Sequence, residues 1–295
     1  MMTPVPRVAA IHDLSGFGRT SLTVVLPVLS ALGVQTCPLP TAVLSTHTSG
    51  FENFRFVDLS SAMRDFLAHW RELGLKFDAV YSGFLGSAGQ AETVAACIDA
   101  CLAPEGFVLV DPVLGDNGVL DPTMTPEMVA RMRELVGKAD CITPNLTEAA
   151  LLLNEPFPGN DLELPRLKEW LMRLAGMGPG TVVITSVPQP GCERQSIVAA
   201  YDRGQDRFWK VPCDYIPAFY PGTGDVFASV LTGCLLRKDS LPVAVDRAVH
   251  FVTLGIRVSF GHSEPHRDGI MLERVLQSLH MPMADSTYTL LEAIS

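Results

Sequence analysis

Short apolar runs that alternate with longer helical patterns constrain the fold of this chain more than any other feature. The runs lack polar alternation, which predicts strands that are buried on both faces. They are Val8–His12, Ala79–Gly83, Phe107–Asp111, Cys141–Thr143 and Thr181–Thr185. The predicted helices are Thr20–Gly33, Gln90–Leu102, Pro126–Gly137 and Glu163–Leu174. This alternation predicts an α/β fold with a central, mainly parallel β-sheet flanked by helices on both faces.

Two segments depart from the alternation and predict further β structure. Val34–Leu44 is extended and contains Pro38 and Pro40, which suits an edge or lid strand better than a central one. Ser196–Tyr201 and Phe208–Val211 flank a polar turn and predict a hairpin. We therefore expect a small β lid beside the main sheet.

No repeat, low-complexity tract or linker divides the sequence, so we predict one domain over all 295 residues. Residues 34–57 are the predicted lid and substrate segment. After Gly224 the pattern is helical to about Leu279, apart from a loop at Gly261–Gly269. The tail, residues 281–295, has weak periodicity and is either a loose terminal segment or an interface helix.

Composition excludes several classes of protein. The net charge is −10, with 22 basic and 32 acidic residues and no Lys/Arg cluster, so we expect no nucleic-acid partner. The apolar run Leu22–Val34 is too short to span a bilayer, so we expect no membrane segment and a cytoplasmic protein. Seven cysteines in no metal-binding spacing predict reduced thiols, and Cys97 and Cys101 predict core residues one helical turn apart.

Two acidic loops follow predicted strands, where α/β proteins collect their ligands. Asp111 and Asp116 lie in the loop after Phe107–Val110. They either hold Mg²⁺ through water or form an Asp-Pro turn with a solvated second aspartate. Asn145 and Glu148 either cap a helix or lie beside phosphates and Mg²⁺, and the sequence alone favours the cap.

The first loop, His12–Gly18, contains glycine and opens a helix. It is not a dinucleotide fingerprint, because Ser21 stands where the last glycine should be, and the chain has no P-loop motif. Instead, the loop could floor a pocket for a small polar molecule. The run Ser45–Thr48 adds hydroxyl groups and an imidazole where a lid strand would end, although most histidines in such places are structural.

The run Tyr220–Asp225 places a Gly-Thr-Gly turn directly before an apolar helix. The free N–H groups and the positive end of such a helix bind anions readily. Asp225 could take a proton from a hydroxyl group beside that anion. An anion site next to a base is what phosphoryl transfer to an alcohol requires, and the alternative is an ordinary turn with a helix cap.

These motifs occur together and in order over residues 8–260, and they resemble those of the pyridoxal/pyridoxine/pyridoxamine (vitamin B6) kinases of the ribokinase-like superfamily. The matching runs are Ser45–Thr48, Ser82–Ser87, Asp111–Asp116, Asn145–Glu148, Thr181–Ser186 and Pro221–Asp225. Of these, Ser45–Thr48 and Thr181–Ser186 are similar to the segments that separate B6 kinases from sugar kinases. The resemblance implies a ribokinase-like fold and a kinase that uses ATP and Mg²⁺, and it leaves a requirement for K⁺ open.

The resemblance also implies roles for the matching residues. Asp225 would deprotonate the 5′-hydroxymethyl group of the vitamer, and the amides of Gly222, Thr223 and Gly224 would form the anion hole. A second group of residues would bind ATP, its phosphates and Mg²⁺. This group is Asp111, Asn145, Glu148, Thr185, Ser186 and Thr223, with Asp111 and Glu148 at the metal.

The resemblance implies some of the vitamer contacts but not all of them, because the sequence departs from the family pattern at several positions. Ser45, His47 and Thr48 would contact the vitamer. Phe84 stands where many of these kinases have tyrosine, which removes a hydroxyl group from the ring pocket. The first loop is shorter than usual, and Arg19 falls near the usual asparagine. Either of two residues could replace the ring-binding serine of the family. They are Asp13 and Ser15.

Other interpretations of the function remain open from the sequence alone. A hydroxymethylpyrimidine kinase shares the fold and the Gly-Thr-Gly-Asp element; the short first loop favours it, and Ser45–Thr48 speaks against it. A sugar or nucleoside kinase and a non-catalytic vitamer sensor fit the motifs less well. The resemblance implies a homodimer, with the segment around Pro38 and Pro40 at the contact.

Overall fold

The computed structural model describes residues 5–159, 162–189, 192–214, 216–283 and 285–291. The strands are β1 (Arg7–Ile11), β2 (Leu14–Ser15), β3 (Gln35–Pro38), β4 (Ala42–Leu44), β5 (Phe56–Asp58), β6 (Phe77–Ser82), β7 (Leu102–Val110), β8 (Gly115–Asp116), β9 (Val119–Leu120), β10 (Cys141–Ile142), β11 (Thr181–Gln189), β12 (Cys192–Asp202), β13 (Arg207–Asp214) and β14 (Thr289–Leu290). The α-helices are α1 (Leu22–Ala31), α2 (Ser60–Glu72), α3 (Ala88–Cys101), α4 (Pro126–Val136), α5 (Leu146–Leu153), α6 (Leu164–Gly176), α7 (Thr223–Leu236) and α8 (Leu241–Ser259).

Nine of the described strands form one sheet, in the order β14-β13-β12-β11-β10-β7-β6-β1-β3. Neighbours from β3 to β11 pair in parallel, and β12, β13 and β14 continue the sheet antiparallel. Helices α1, α7 and α8 pack on one face, while α2 to α6 cover the other. The predicted mainly parallel α/β sheet with helices on both faces is therefore confirmed.

The strand order places a topological switch point between β1 and β6. From β1 the chain crosses to β3 on one side, and from β6 it crosses to β7 on the other. The loops at the carboxyl ends of these two strands consequently diverge and leave a crevice, which is where open α/β sheets bind their ligands.

A small three-stranded sheet, β2-β4-β5, lies beside the main sheet and forms the predicted lid. Leu14 pairs with Val43 in parallel, and Val43 pairs with Val57 antiparallel. β2 comes from the first loop, which the sequence did not predict to contain a strand. Within residues 34–57, β3 joins the edge of the main sheet instead of the lid, in keeping with Pro38 at its end.

The sequence prediction for the tail was wrong over its described residues. Lys210 pairs with Thr289 where β14 extends the main sheet. The backbone N–H and the hydroxyl group of Thr287 donate to the buried carboxylate of Asp246, at 3.1 and 2.7 Å. Leu291 is also buried, so this part of the tail is neither loose nor helical. Residues 284 and 292–295 lie outside the described residues.

The predicted helices after Gly224 are confirmed in α7 and α8, and so is the loop at Gly261–Gly269, but the stretch from that loop to Leu279 is not α-helical. The chain then turns at Gly261 and Gly269, whose φ angles of 87° and 85° end regular helix, and short 3₁₀ helices follow. Cys97 and Cys101 are fully buried in α3, as predicted. Among the described residues, no helix is long and apolar enough to cross a membrane.

Candidate active site

The N-terminus of α7 faces the crevice at the carboxyl ends of the central strands. Asp225, in the first turn of α7, lies 3.9 Å from the Nδ1 atom of His12, the residue that follows β1. Its Oδ2 atom accepts a hydrogen bond of 2.8 Å from the backbone N–H of Ser21, directly before α1. The segment that joins β1 to α1 thus lies against a carboxylate that is far away in the sequence, and Ser21 donates a hydrogen bond to it.

The surroundings of Asp225 disfavour its charge. Its side chain is only 13% exposed. Burial raises the pKa of Asp225 to about 8, and the nearby carboxylates of Asp111 and Asp13 act in the same direction against the hydrogen bond from Ser21. A carboxyl group whose pKa lies near the working pH is suited to act as a general base.

The N-terminus of α7 is open to an anion. Its N-cap residue is Gly222, which has no side chain to cap the helix, so the first-turn N–H groups are left without an intrahelical partner. Gly222 has a φ angle of 81°, and a Cβ atom there would lie 2.2 Å from the carbonyl oxygen of Arg19. A Cβ atom on Gly224, by contrast, would meet none of the described residues beyond its own helix within 4 Å, so the approach to these amides is clear.

Two buried carboxyl groups lie on the other side of the crevice. Asp111 follows β7, and its Oδ1 atom accepts a hydrogen bond of 2.8 Å from the hydroxyl group of Thr143. Burial raises the pKa of Asp111 to about 6. Burial, followed by the charge of Asp111, also raises the pKa of Glu148 well above its ordinary value. Ionisation of each group is therefore unfavourable in free energy, and a bound cation would offset this.

The predicted helix cap at Asn145 is confirmed, and the same residues also face the acidic loop. The Asn145 side chain accepts a bond from the N–H of Glu148, and Glu148 Oε2 accepts one of 2.8 Å from the N–H of Asn145. Glu148 Oε1 accepts a further bond of 3.1 Å from the N–H of Leu114, and Asn145 Nδ2 donates to the carbonyl of Gly115 at 2.8 Å. The cap thus fixes the loop that carries Asp111.

Thr185 and Ser186 lie next to Asn145. Asn145 and Thr185 form a parallel bridge, in which the Thr185 N–H donates to the carbonyl of Pro144 at 3.0 Å. The register of β11 shifts between Ile184 and Val187, and Ser186 has a left-handed φ of 56°. The bulge leaves Ser186 exposed.

The predicted vitamer contacts divide between buried and exposed positions. Asp13 and Ser15 are buried in the first loop, where the Ser15 hydroxyl donates to Asp13 Oδ2 at 3.1 Å. Burial raises the pKa of Asp13. Thr48 and Phe84 are half-buried. Ser45 is exposed, and its hydroxyl oxygen accepts a bond of 2.8 Å from the N–H of Arg55 within the lid.

His47 is buried and already uses both ring nitrogens. Its Nδ1 atom accepts a bond from the N–H of Ser49 at 3.2 Å, so Nε2 carries the hydrogen and donates to the carbonyl of Arg267 at 2.7 Å. A Cβ atom on Gly18 would lie 2.3 Å from the His47 ring. His47 therefore ties the lid to the first loop and to the loop after α8, and its predicted bond to a vitamer would replace one of these contacts.

Sequence reasoning did not single out His12 or Tyr81. Both are fully buried beside Asp225, and their rings meet edge to face with centroids 4.3 Å apart. The only signal was a histidine at the end of an otherwise apolar strand. The sequence could not show that this strand end lies opposite Asp225.

Comparisons with known proteins agree on one group of kinases. The family described as phosphomethylpyrimidine kinase matches residues 26–268. A crystal structure of a Bacteroides thetaiotaomicron protein, described as a candidate phosphomethylpyrimidine kinase and solved with pyridoxal, is 50% identical with a TM-score of 0.94, covering 97% of this chain and 99% of that one. Pyridoxal kinase from Lactobacillus plantarum is 32% identical with a TM-score of 0.83, covering 94% and 97%. Pyridoxal kinase PdxY of Leifsonia xyli is 27% identical, covering 83% of this chain and 87% of its own length.

Proposed function

This chain belongs to the phosphomethylpyrimidine kinase family, and we propose that it acts as a vitamin B6 kinase. It transfers the γ-phosphoryl group of ATP to the 5′-hydroxymethyl group of pyridoxal, pyridoxine or pyridoxamine. The observation that carries the proposal is the position of Asp225, which lies beside the open N-terminus of α7 and faces the ligand crevice of the sheet. A base next to an anion site is the arrangement that phosphoryl transfer to an alcohol needs.

The substrate class rests on the relatives, because the family description alone favours a pyrimidine. The curated relatives at 25–28% identity are named as pyridoxal kinases or pyridoxine/pyridoxal/pyridoxamine kinases. The protein with 50% identity was crystallised with pyridoxal. We therefore place the B6 vitamers first and keep hydroxymethylpyrimidine as the second candidate substrate.

In the proposed mechanism Asp225 takes the proton of the substrate alcohol. The alcohol oxygen then forms a bond to the γ-phosphorus of ATP while the bond from that phosphorus to the bridging oxygen breaks, and ADP leaves. The backbone N–H groups at Gly222, Thr223 and Gly224 stabilise the charge on the transferred group. The lid excludes water, which would otherwise compete with the alcohol as acceptor.

The acidic side of the crevice fits a hydrated Mg²⁺ that enters with ATP. Asp111 and Glu148 are buried carboxyl groups, and the charge of Asp111 adds to the effect of burial in raising the pKa of Glu148. Both Glu148 oxygens already accept backbone bonds, so this residue would hold the ion through water. Since the described residues contain no cluster of three or more His, Cys, Asp or Glu arranged for a metal, phosphate oxygens would complete the coordination. When bound, Mg²⁺ neutralises phosphate charge.

We assign the ring contact in the first loop to Asp13, because Ser15 is fully buried and donates to it. We place Thr48 and Phe84, which are half-buried, at the vitamer as well, and we place Thr185 and Ser186 at the nucleotide because Thr185 pairs with Asn145. The predicted homodimer and cytoplasmic location remain predictions.

The test is a coupled assay of ADP release with ATP and Mg²⁺, using each B6 vitamer, hydroxymethylpyrimidine and ribose as acceptors. A reaction without acceptor measures background hydrolysis of ATP. We expect turnover above background with at least one vitamer, and mass spectrometry should find its 5′-phosphate. Turnover of hydroxymethylpyrimidine alone would support the second candidate substrate. ADP release no higher than background with every acceptor would overturn the proposal.

We also predict a pH dependence. Asp225 must be ionised to accept a proton, and burial raises the pKa of this group to about 8 in the free protein. The value of kcat/KM for the vitamer should therefore fall as the pH decreases below about 8, by about tenfold per pH unit where a single group controls the rate. The measurement is kcat/KM from pH 6 to 9 with pyridoxine and pyridoxamine. If the fall in kcat/KM reports a group of the enzyme, its midpoint should lie at the same pH for both vitamers. A kcat/KM that does not change with pH would contradict the role of Asp225 as base.

A further inference from the structure

His12 is fully buried, and neither ring nitrogen has a hydrogen-bond partner among the described residues. Buried polar side chains nearly always have a partner, and an unsatisfied one is unfavourable. The proposed mechanism does not use His12. A buried, unpartnered histidine at this place therefore needs a physical reason.

The position of the His12 ring is tightly defined. Tyr81 packs against it edge to face, with an interplanar angle of 77°. On another side lies Gly83, where a Cβ atom would be 2.3 Å from His12 Nδ1. The same Nδ1 atom lies 3.9 Å from Oδ1 of Asp225. The absence of a side chain at Gly83 is thus what makes room for the ring.

The charge balance around Asp225 leaves a role for a hydrogen-bond donor. The groups that face it are the carboxyl groups of Asp13 and Asp111, the hydroxyl group of Tyr81 and the His12 ring. The two carboxylates oppose its ionisation. Ser21 supplies a bond to Oδ2 only. Burial lowers the pKa of His12 to about 3, so the ring is neutral and has one N–H to donate.

Resting on the proposed function, we propose that His12 is a positioning residue that donates its Nδ1–H to Asp225 Oδ1 when the substrates are bound. At 3.9 Å the contact is too long for a hydrogen bond. Catalytic contacts in ligand-free proteins are often long and tighten in the complex. With Oδ2 held by Ser21, the added bond fixes the carboxylate plane and stabilises its ionised form. Each oxygen keeps a lone pair, so the alcohol can still donate to Asp225.

The first test compares two substitutions of His12. In His12→Phe the ring remains but the donor is lost, and we expect kcat to fall by about 100-fold, with KM for ATP and vitamer changed by less than about threefold. In His12→Asn the side-chain Nδ2 stands near the place of Nδ1, and we expect most of the lost kcat to return. A kcat near the parent value in His12→Phe, or no recovery in His12→Asn, would overturn the proposal.

A second test holds even if His12→Phe does not fold. Gly83→Ala should displace the ring and lower kcat in the parent, but it should have little further effect in a His12→Ala background, because the residue it displaces is gone. Equal losses in both backgrounds would contradict the proposal. The parent enzyme and Asp225→Asn are assayed in the same experiment as controls. An inactive parent enzyme would refute the proposed function. An active parent enzyme with an unchanged kcat in His12→Phe would refute only the role of His12.

Discussion

Asp225→Asn is expected to lower kcat for vitamer-dependent ADP release by about 1,000- to 10,000-fold, while ATP still binds. Asparagine keeps the size of the side chain, and its amide oxygen can still accept the N–H of Ser21, which now bonds Asp225 Oδ2 at 2.8 Å. It cannot take the proton of the alcohol. The measurements are steady-state ADP release and calorimetric binding of ATP. A matched control is Asp239→Asn, three residues beyond the end of the same helix, which should leave both unchanged.

The same substitution should make the protein more stable near neutral pH. The pKa of Asp225 rises from 3.8 to about 8 on folding. Its contribution to the free energy of unfolding is therefore complete below pH 3.8 and is lost as the pH rises through about 8. Asparagine stays neutral throughout, so Asp225→Asn should raise the melting temperature at pH 8 more than at pH 6. Near-normal turnover of Asp225→Asn would refute the assignment of Asp225 as the base. Loss of activity together with a lower melting temperature would indicate a damaged fold instead.

The sequence predicted the architecture well because strands buried on both faces have a distinctive pattern. Val8 and the residues after it are apolar without interruption, and the structure places β1 inside the parallel sheet. The tail could not be predicted in the same way. Thr289 and Leu290 form a two-residue strand that is exposed, so it has no apolar pattern, and its position depends on a distant hydrogen bond from Thr287 to Asp246.

The candidate site was predictable where a local motif carries it and unpredictable where a tertiary contact does. The glycines directly before Asp225 indicate that it lies beside an anion site. The predicted helix cap at Glu148 is confirmed and also fixes the loop of Asp111, while its role beside phosphates stays a prediction. The approach of His12 to Asp225 joins residues far apart in the sequence, and no local pattern reports it. Likewise, the hydrogen bond from His47 Nε2 depends on the carbonyl group of Arg267, far away in the sequence.

Gly222→Ala is expected to lower kcat/KM by about 100-fold or more. Gly222 has a left-handed φ of 81°, which alanine adopts only with strain. In addition, the new methyl group would lie 2.2 Å from the carbonyl oxygen of Arg19 and would push away the segment between the first loop and α1. That segment carries Ser21, whose N–H donates to Asp225, so the anion site and the base would be displaced together. The measurements are kcat/KM for the vitamer and the free energy of unfolding in urea.

Gly33→Ala separates the two causes. Gly33 has a nearly identical φ of 82°, but a Cβ atom there would meet no described residue other than its chain neighbours within 4 Å. This control should lose about 1–2 kcal/mol of unfolding free energy through backbone strain alone and keep its kcat/KM. If Gly222→Ala lost stability to the same extent as Gly33→Ala and kept its activity, the contact with Arg19 would have no part in placing Asp225. A large additional loss of activity in Gly222→Ala would instead show that this contact sets the geometry of the anion site and base.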